Sequence, residues 1–191
     1  MAELSRQNWL IYGELKESKV LVDVEGHRLD QTQGVNLITC ADGDQFPDIF
    51  LFHHQRLACT RLQVFSLLGG ALLIDPEFPL NKKLQEDRVL LHHLKLGSEK
   101  KKIQTTVPYT HATCLAAMIA GYNLAKIIAG HMRSKQRIRA EVPPHHVIAP
   151  FVQVHHRVQR THFFDRESFE PWFSVSWRKL DPQSEGVYIR P

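Results

Sequence analysis

Short apolar runs rich in β-branched residues alternate with segments of helical periodicity along the first two thirds of the chain. Four runs are predicted strands: Val20–Val24, Val35–Cys40, Leu62–Leu68 and Ile103–Tyr109. The second run is followed by the turn-rich segment ADGDQFPD, and the third is closed by Gly69-Gly70. We expect Pro108 at the end of the fourth strand, where its missing N–H donor is tolerated.

Two further segments carry apolar residues at helical spacing. In the first, Asn81–Leu96, Asn81 is the predicted N-cap and Gly97 the stop signal. The second, Cys114–His131, is apolar on nearly every side, so we expect it to be buried in the core or at a subunit interface. Strands and helices in this order predict an α/β fold, with a mostly parallel central β-sheet flanked by helices.

Length and composition are those of a single globular domain over residues 1–191. With 43% hydrophobic and 23% charged residues, the chain is neither disordered nor collagen-like. Its longest apolar stretch, Leu115–Ile128, is interrupted by Asn123 and Lys126, which argues against a membrane span. The N-terminus has no apolar export signal, so we expect a cytoplasmic protein with three reduced cysteines. A net charge of +4 permits a nucleic-acid partner but does not indicate one.

Cysteine and histidine residues occur at the ends of strands in the predicted sheet, where binding and catalytic sites form. His111-Ala-Thr-Cys114 places an imidazole and a thiol at a strand-to-helix turn, and Cys40 closes an earlier strand. In a parallel sheet these strand ends share one edge, where sites form. Zinc favours thiolate and neutral imidazole ligands, and three protein ligands with an open fourth position are typical of catalytic sites. The alternative is that the two thiols and the histidine are buried residues with structural roles only.

The combination of Cys40-Ala-Asp42 with His111-x-x-Cys114 resembles the zinc motif of the β-class carbonic anhydrases. The resemblance extends over about residues 34–130, the predicted core of the domain, and includes LQVFSLLGG, LQEDRVLLHHLKLG and KKIQTTVPYTHATCLAA. It implies that Cys40, His111 and Cys114 bind Zn²⁺. It also implies that Asp42 is the catalytic acid beside the metal, either orienting the reacting water or taking the fourth position itself. The reaction implied is the reversible hydration of carbon dioxide to bicarbonate, by a homodimer or higher homo-oligomer.

The chain departs from the family motif C-x-D-x-R at the arginine, whose position is held by Asp44. In the family this arginine pairs with the aspartate and holds it away from zinc. Without it, we expect Asp42 to approach the strongest cation nearby, the metal, and to close the fourth position. Arg56 and Arg61 are the nearest arginines in sequence that could replace the missing partner. Two other functions stay open, a non-catalytic zinc-binding module and hydrolysis of carbonyl sulfide or carbon disulfide.

Histidine is unusually frequent, with twelve residues, of which eight form the adjacent pairs 53–54, 92–93, 145–146 and 155–156. His53, His54, His92 or His93 could carry the released proton to solvent. Solvated surface or ordinary packing is favoured over a second metal site for the pairs, because adjacent side chains of a strand point to opposite faces. Cys59 fits neither ligand motif and is interpreted as a small buried hydrophobic residue.

Two other clusters have simpler interpretations than ligand binding. The basic run after the second helix is expected to be a solvated helix terminus rather than a nucleic-acid contact; it consists of Arg133, Lys135, Arg137 and Arg139. A late aromatic cluster is expected to pack in the core or at a subunit interface; it consists of Phe163, Phe164, Phe169, Trp172, Phe173 and Trp177.

Overall fold

The structure, a computed structural model, describes residues 4–23, 34–42, 45–56, 59, 61–156 and 158–180. Its strands are β1 (Leu21–Asp23), β2 (Val35–Cys40), β3 (Leu62–Leu67), β4 (Thr105–Ala112), β5 (Val147–Ile148), β6 (Phe151–His156) and β7 (Val158–Phe164). Its α-helices are α1 (Arg6–Glu17), α2 (Phe46–Leu51), α3 (Pro79–Leu84), α4 (Glu86–Glu99), α5 (Leu115–Ile119), α6 (Leu124–Glu141) and α7 (Arg166–Leu180). A π-helical turn, Phe52–Arg56, continues α2, and a 3₁₀ helix, Gly70–Ile74, precedes α3.

The strands form one central sheet in the order β1-β7-β6-β4-β2-β3, with β5 beside β4. The pairs β2–β3, β2–β4, β4–β5 and β4–β6 are parallel, whereas β6–β7 and β1–β7 are antiparallel. The predicted α/β fold with a central sheet flanked by helices is therefore confirmed, and the sheet is mixed. Its parallel part brings the carboxyl ends of β2, β3, β4 and β6 to the same edge.

Helices cover both faces of this sheet. The larger hydrophobic core joins α1, α4, α6 and α7 to one face, which carries Ile38 of β2 and Val152 of β6. On the other face, Ile49 of α2 packs with Val107 and Tyr109 of β4. Successive residues of a strand point to opposite faces, so β2 and β4, buried at every position, contribute to both cores.

The strand predicted over Val35–Cys40 coincides with β2, but the strand predicted to end at Tyr109 continues to Ala112. Pro108 therefore lies inside β4 instead of at its end. It forms the last register pair of β4 with β2, and pairing with β6 begins at the next residue. The proline thus lies where the strand changes its neighbour. Of the strand predicted over Val20–Val24, the residues Leu21–Asp23 form β1 and Val20 precedes it, while Val24 and the turn after it lie outside the described residues.

The helix predicted over Asn81–Leu96 is in fact two helices. Gln85, in a left-handed conformation (φ 54°), separates α3 from α4. Asn81 is not an N-cap, since it lies inside α3 and its amide donates to the Asp75 carbonyl at 3.0 Å. Gly97 does not end the helix either. A Cβ there would lie 2.9 Å from Asn36 Oδ1, so glycine is needed because α4 packs directly on the sheet.

The helix predicted over Cys114–His131 is also divided. Gly121 has a φ of +68°, and the Asn123 side chain accepts from the N–H of Lys126, so a new helix begins there and runs to Glu141. The short helix α5 is not buried in the core, because much of its apolar surface is exposed in the single chain; burial at a subunit interface stays a prediction. The exposed side chains are Leu115 (56%), Met118 (58%) and Ile119 (67%).

The sequence analysis assigned no elements to the last quarter of the chain, which contributes β5, β6, β7 and α7. The predicted packing role of the late aromatic residues is confirmed for Phe164, Phe169 and Trp172, which are buried in the larger core. The Tyr12 hydroxyl is hydrogen-bonded to His162 Nε2 at 3.1 Å, which ties α1 to β7. None of the described helices combines the length and apolarity that a membrane crossing requires.

The basic run in α6 is not simply a solvated terminus. Arg133 donates from two nitrogens to the fully buried carboxylate of Asp75, at 2.7 and 2.6 Å, and Arg137 forms an ion pair with Asp87. A bidentate pair of this kind fixes geometry strongly. Since Asp75 directly follows the 3₁₀ helix, these contacts hold that helix against α6.

Candidate metal centre

Three potential metal ligands meet at the carboxyl ends of two neighbouring parallel strands. Cys40 is the last residue of β2, His111 is the next-to-last residue of β4, and Cys114 lies between β4 and α5. All three are buried, and their sulfur and imidazole ligand atoms lie within 4.8 Å of one another. The structure thus brings together the three residues that the sequence analysis selected, in a group that could hold a metal ion.

The spacing of the two sulfurs suits a shared ion. Cys40 Sγ and Cys114 Sγ are 4.0 Å apart, far beyond the about 2.05 Å of a disulfide, and no cysteine of the chain forms one. Two thiolates bound to one tetrahedral zinc at about 2.3 Å would be about 3.8 Å apart. The pair therefore needs almost no movement to act as two ligands of the same ion.

His111 presents a ring nitrogen for coordination. Its Nδ1 is hydrogen-bonded to the Gln45 side chain, whereas its buried Nε2 has no hydrogen-bond partner among the described residues. A buried nitrogen without a partner is costly unless something binds it. Together with two sulfurs it forms the donor set that zinc prefers, so the residues present fit this metal.

The two thiols share one proton, which makes the centre attractive to a cation. A hydrogen bond from Cys114 lowers the pKa of Cys40 to about 4, aided by His111 and by the backbone N–H of Gly69, although burial opposes the shift. The same contact raises the pKa of Cys114, because Cys114 then holds its proton beside a thiolate, and burial adds to that effect. The lowered pKa favours a thiolate within this pair, which is the form of cysteine that binds metals.

Gly69 and Gly70 allow the backbone to close tightly over Cys40. The Gly69 N–H donates to Cys40 Sγ at 3.3 Å. Gly70 has a φ of +55°, and a Cβ there would lie 2.8 Å from the Cys40 nitrogen and 3.0 Å from the Tyr109 carbonyl oxygen. The 3₁₀ helix that follows is held by Asp75 and Arg133. The two glycines that follow β3 therefore help to determine where the Cys40 sulfur lies.

Replacing Gly70 with alanine should weaken both the fold and the centre. The left-handed conformation and the backbone contacts together should lower the free energy of unfolding by roughly 2–4 kcal/mol, and zinc affinity should fall at least about tenfold. Urea denaturation and chelator competition measure the two effects. Gly13→Ala in α1, where nothing lies within 4 Å of the added Cβ, is the matched control. Similar results for both variants would contradict the role given to Gly70.

The proposed acid Asp42 lies two residues after Cys40 and is partly exposed. It does not belong to the group of three ligands. Its backbone carbonyl accepts from the N–H of Gln45 at 3.3 Å. Asp44 and the side chain of Arg56 lie outside the described residues. The role of Asp42 as catalytic residue or fourth ligand therefore stays a prediction.

Arg61, one of the two arginines expected to replace the motif arginine, is at the wrong end of the sheet. It directly precedes β3, whose first residue pairs with Val35 and whose last pairs with Cys40. At about 3.3 Å per residue, those two ends are roughly 17 Å apart. Arg61 instead donates to the carbonyl of Lys101. The sequence could not show this, because distance along the chain does not reveal which end of a strand a residue occupies.

The candidate proton carriers lie in different surroundings. His53 is fully buried, hydrogen-bonded to the Tyr109 hydroxyl at 2.9 Å, and burial lowers its pKa to about 4. His54, His92 and His93 are exposed. A histidine that the sequence analysis did not select as a proton carrier, His155 of β6, lies close to the centre, with its ring centroid 6.3 Å from that of His111.

Gln45 is the second residue of the centre that sequence reasoning missed. A single glutamine in a polar loop carries no spacing signal, and only the folded loop brings it to His111. Its one sequence cue is its position just before Phe46-Pro47, where α2 begins.

Comparison with known proteins finds similarity among solved structures. No family model matches the chain, and none of the curated proteins compared with it matches. Among solved structures, it is similar to the crystal structure of β-carbonic anhydrase isoform I (TvaCA1) from the protozoan Trichomonas vaginalis. The TM-score is 0.44 and the sequence identity 10%, over 84% of this chain and 99% of that one. The chemistry proposed below is accordingly founded on the residues of the centre.

Proposed function

We propose that this chain binds zinc through Cys40, His111 and Cys114 and is a lyase of the β-carbonic anhydrase type, which interconverts carbon dioxide and bicarbonate. The observation that carries the proposal is the buried group of two sulfurs and one imidazole at the carboxyl edge of a parallel sheet. Three protein ligands leave one position of a tetrahedral ion for a small molecule, which is the catalytic arrangement.

When bound, zinc supplies Lewis acidity, which makes water a nucleophile near neutral pH. The residues of the chain have separate tasks in this proposal. Cys40 and Cys114 anchor the ion and moderate its charge, and His111 is the neutral third ligand. Asp42 accepts a hydrogen bond from the reacting water and so directs its lone pair at the carbon of carbon dioxide. Assembly as a homodimer remains part of the proposal.

A non-catalytic zinc protein is the second candidate, and one observation favours it. The motif arginine is absent, since Asp44 holds its position, and Arg61 is too far from Cys40 to replace it. If the carboxylate of Asp42 took the fourth coordination position of a bound ion, it would close the centre. Such a protein would bind zinc as tightly but offer no place for a substrate.

Replacing Asp44 with arginine distinguishes these functions. If Asp42 closes the centre, the wild-type protein should hydrate carbon dioxide slowly near neutral pH. The Asp44→Arg variant should be roughly tenfold or more faster, since a difference of about 1.4 kcal/mol in the barrier suffices for this. Stopped-flow hydration assays on zinc-loaded protein measure both rates. Asp44→Asn, which removes the negative charge without adding a pairing group, is the control.

Each outcome has a separate meaning. A wild-type protein that is already fast, with no gain in the variant, shows that another group has replaced the arginine. A variant that binds zinc and stays inert supports the binding module. If the protein hydrolyses carbonyl sulfide or carbon disulfide but does not hydrate carbon dioxide, the metal centre is correctly assigned and the proposed substrate is wrong. Wild-type protein without zinc would contradict the proposal as a whole.

A further inference from the structure

The side chain of Gln45 lies against His111 inside the candidate metal centre. Its amide is hydrogen-bonded to His111 Nδ1, and the residue is only 4% exposed. We propose that Gln45 is a positioning residue, which fixes the tautomer and the ring orientation with which His111 binds a metal ion. This proposal rests on the zinc-binding part of the proposed function and is independent of whether the centre hydrates carbon dioxide.

The hydrogen bond decides which ring nitrogen of His111 can act as a ligand. A neutral imidazole carries a single N–H, so the partner of one nitrogen determines the state of the other. If Gln45 Oε1 accepts from Nδ1–H, the lone pair of Nε2 is available to a metal ion. In the opposite amide orientation, which the structure contains, Gln45 Nε2 donates to Nδ1 and the imidazole proton is on Nε2. Half a turn of the amide exchanges the two states, and metal binding selects the first.

The backbone around Gln45 holds this amide close to the centre. The Gln45 N–H donates to the Asp42 carbonyl at 3.3 Å, and its own carbonyl accepts from Ile49 in the first turn of α2 at 3.2 Å. Ile49 is buried against the sheet. The loop that starts at Cys40 therefore supplies one ligand directly and returns to support a second one, His111. Partners of this kind on a ligating histidine fix its orientation and raise its basicity.

Two substitutions separate a positioning role from simple packing. Gln45→Leu removes the acceptor and should weaken zinc binding roughly ten- to hundredfold. Gln45→Glu keeps the shape and offers only acceptor atoms, so it holds Nδ1–H and should bind zinc at least as tightly as the wild type. A merely structural role predicts that both variants lose affinity in step with stability. Gln63→Leu, at the opposite end of the sheet, controls for the loss of an amide.

The experiment measures zinc affinity of the full chain by competition with a chromophoric chelator, alongside the unfolding free energy of the metal-free protein. Long-range proton–nitrogen spectra of zinc-loaded protein report the tautomer of His111, which should be Nδ1–H. These spectra, with the affinity of Gln45→Glu, test the proposal even if Gln45→Leu does not fold. The expected affinity order is Gln45→Glu at or above wild type, Gln63→Leu equal to wild type, and Gln45→Leu far below.

Three results would overturn the proposal. These are a folded Gln45→Leu variant within twofold of wild-type affinity, a Gln45→Glu variant that binds zinc no better than Gln45→Leu, or an Nε2–H tautomer in the zinc-loaded protein. A wild-type chain that binds no zinc overturns both this proposal and the metal centre itself. If the wild type and its variants bind zinc in the expected order of affinity but the wild type does not hydrate carbon dioxide, only the proposed activity is refuted.

Discussion

Replacing Cys40 with alanine is expected to remove the metal, lowering the zinc content from about one ion per chain to near zero after dialysis. The reason is that the binding free energy is shared among three side chains of the described part of the chain, so that losing one thiolate ligand removes a large share of it. Elemental analysis of the purified, dialysed protein measures the effect. Full zinc occupancy in this variant would show that the ligand set is wrong.

Cys59 provides the matched control for this substitution. It is buried like Cys40, at 2% exposure, but lies in the smaller core on the other face of the sheet. Burial raises the pKa of its thiol, so it lacks the thiolate character of a ligand. Cys59→Ala should therefore cost some stability through lost packing and leave the zinc content unchanged. Loss of zinc in this variant would place Cys59 among the ligands.

The second large effect expected is a steep loss of stability on acidification from about pH 6.5 to pH 4. Burial lowers the pKa of His131 to about 3 and those of His53 and His146 to about 4. Unfolded histidine takes up a proton near pH 6.5, whereas these folded residues stay neutral, so falling pH favours the unfolded chain. Each histidine contributes a slope of up to about 1.4 kcal/mol per pH unit within this window.

His131→Leu tests this expectation. His131 is fully buried, and neither ring nitrogen has a hydrogen-bond partner among the described residues. Its replacement should flatten the pH dependence of the unfolding free energy and leave stability at pH 7.5 no lower than in the wild type. Urea denaturation across the pH range measures the slope, with His92→Leu at an exposed site of α4 as the control. An unchanged slope in His131→Leu would contradict this account.

Where local pattern and tertiary environment agree, the sequence was sufficient to predict structure. β2 was predicted residue for residue, because a six-residue apolar run bounded by polar turns leaves few alternatives. The convergence of Cys40, His111 and Cys114 followed from a general property of parallel sheets, whose carboxyl strand ends share an edge. The first inference used only local sequence, and the second needed only the order of strands along the chain.

The errors arose where a residue's role depends on what packs against it. Gly97 was interpreted as a helix end, although it is an interior glycine required by the neighbouring Asn36 amide. The helix break at Gly121 was not predicted because it lies in a continuous apolar run. The strand β7 was not predicted because it contains polar residues such as His162, which is buried and hydrogen-bonded to Tyr12. Gln45 belongs to the same class, because only the folded loop makes it a partner of His111.

An ion shared by Cys40 and Cys114 would join two points that lie 74 residues apart in the chain. The unfolded chain has no such preformed site, so the free energy of binding the ion adds to the free energy of folding. By mass action, free zinc at one hundred times the Kd adds about 2.7 kcal/mol. The abundance of this protein in a cell would then follow the zinc supply. Chains made during zinc shortage would unfold more often, and proteases would degrade them sooner.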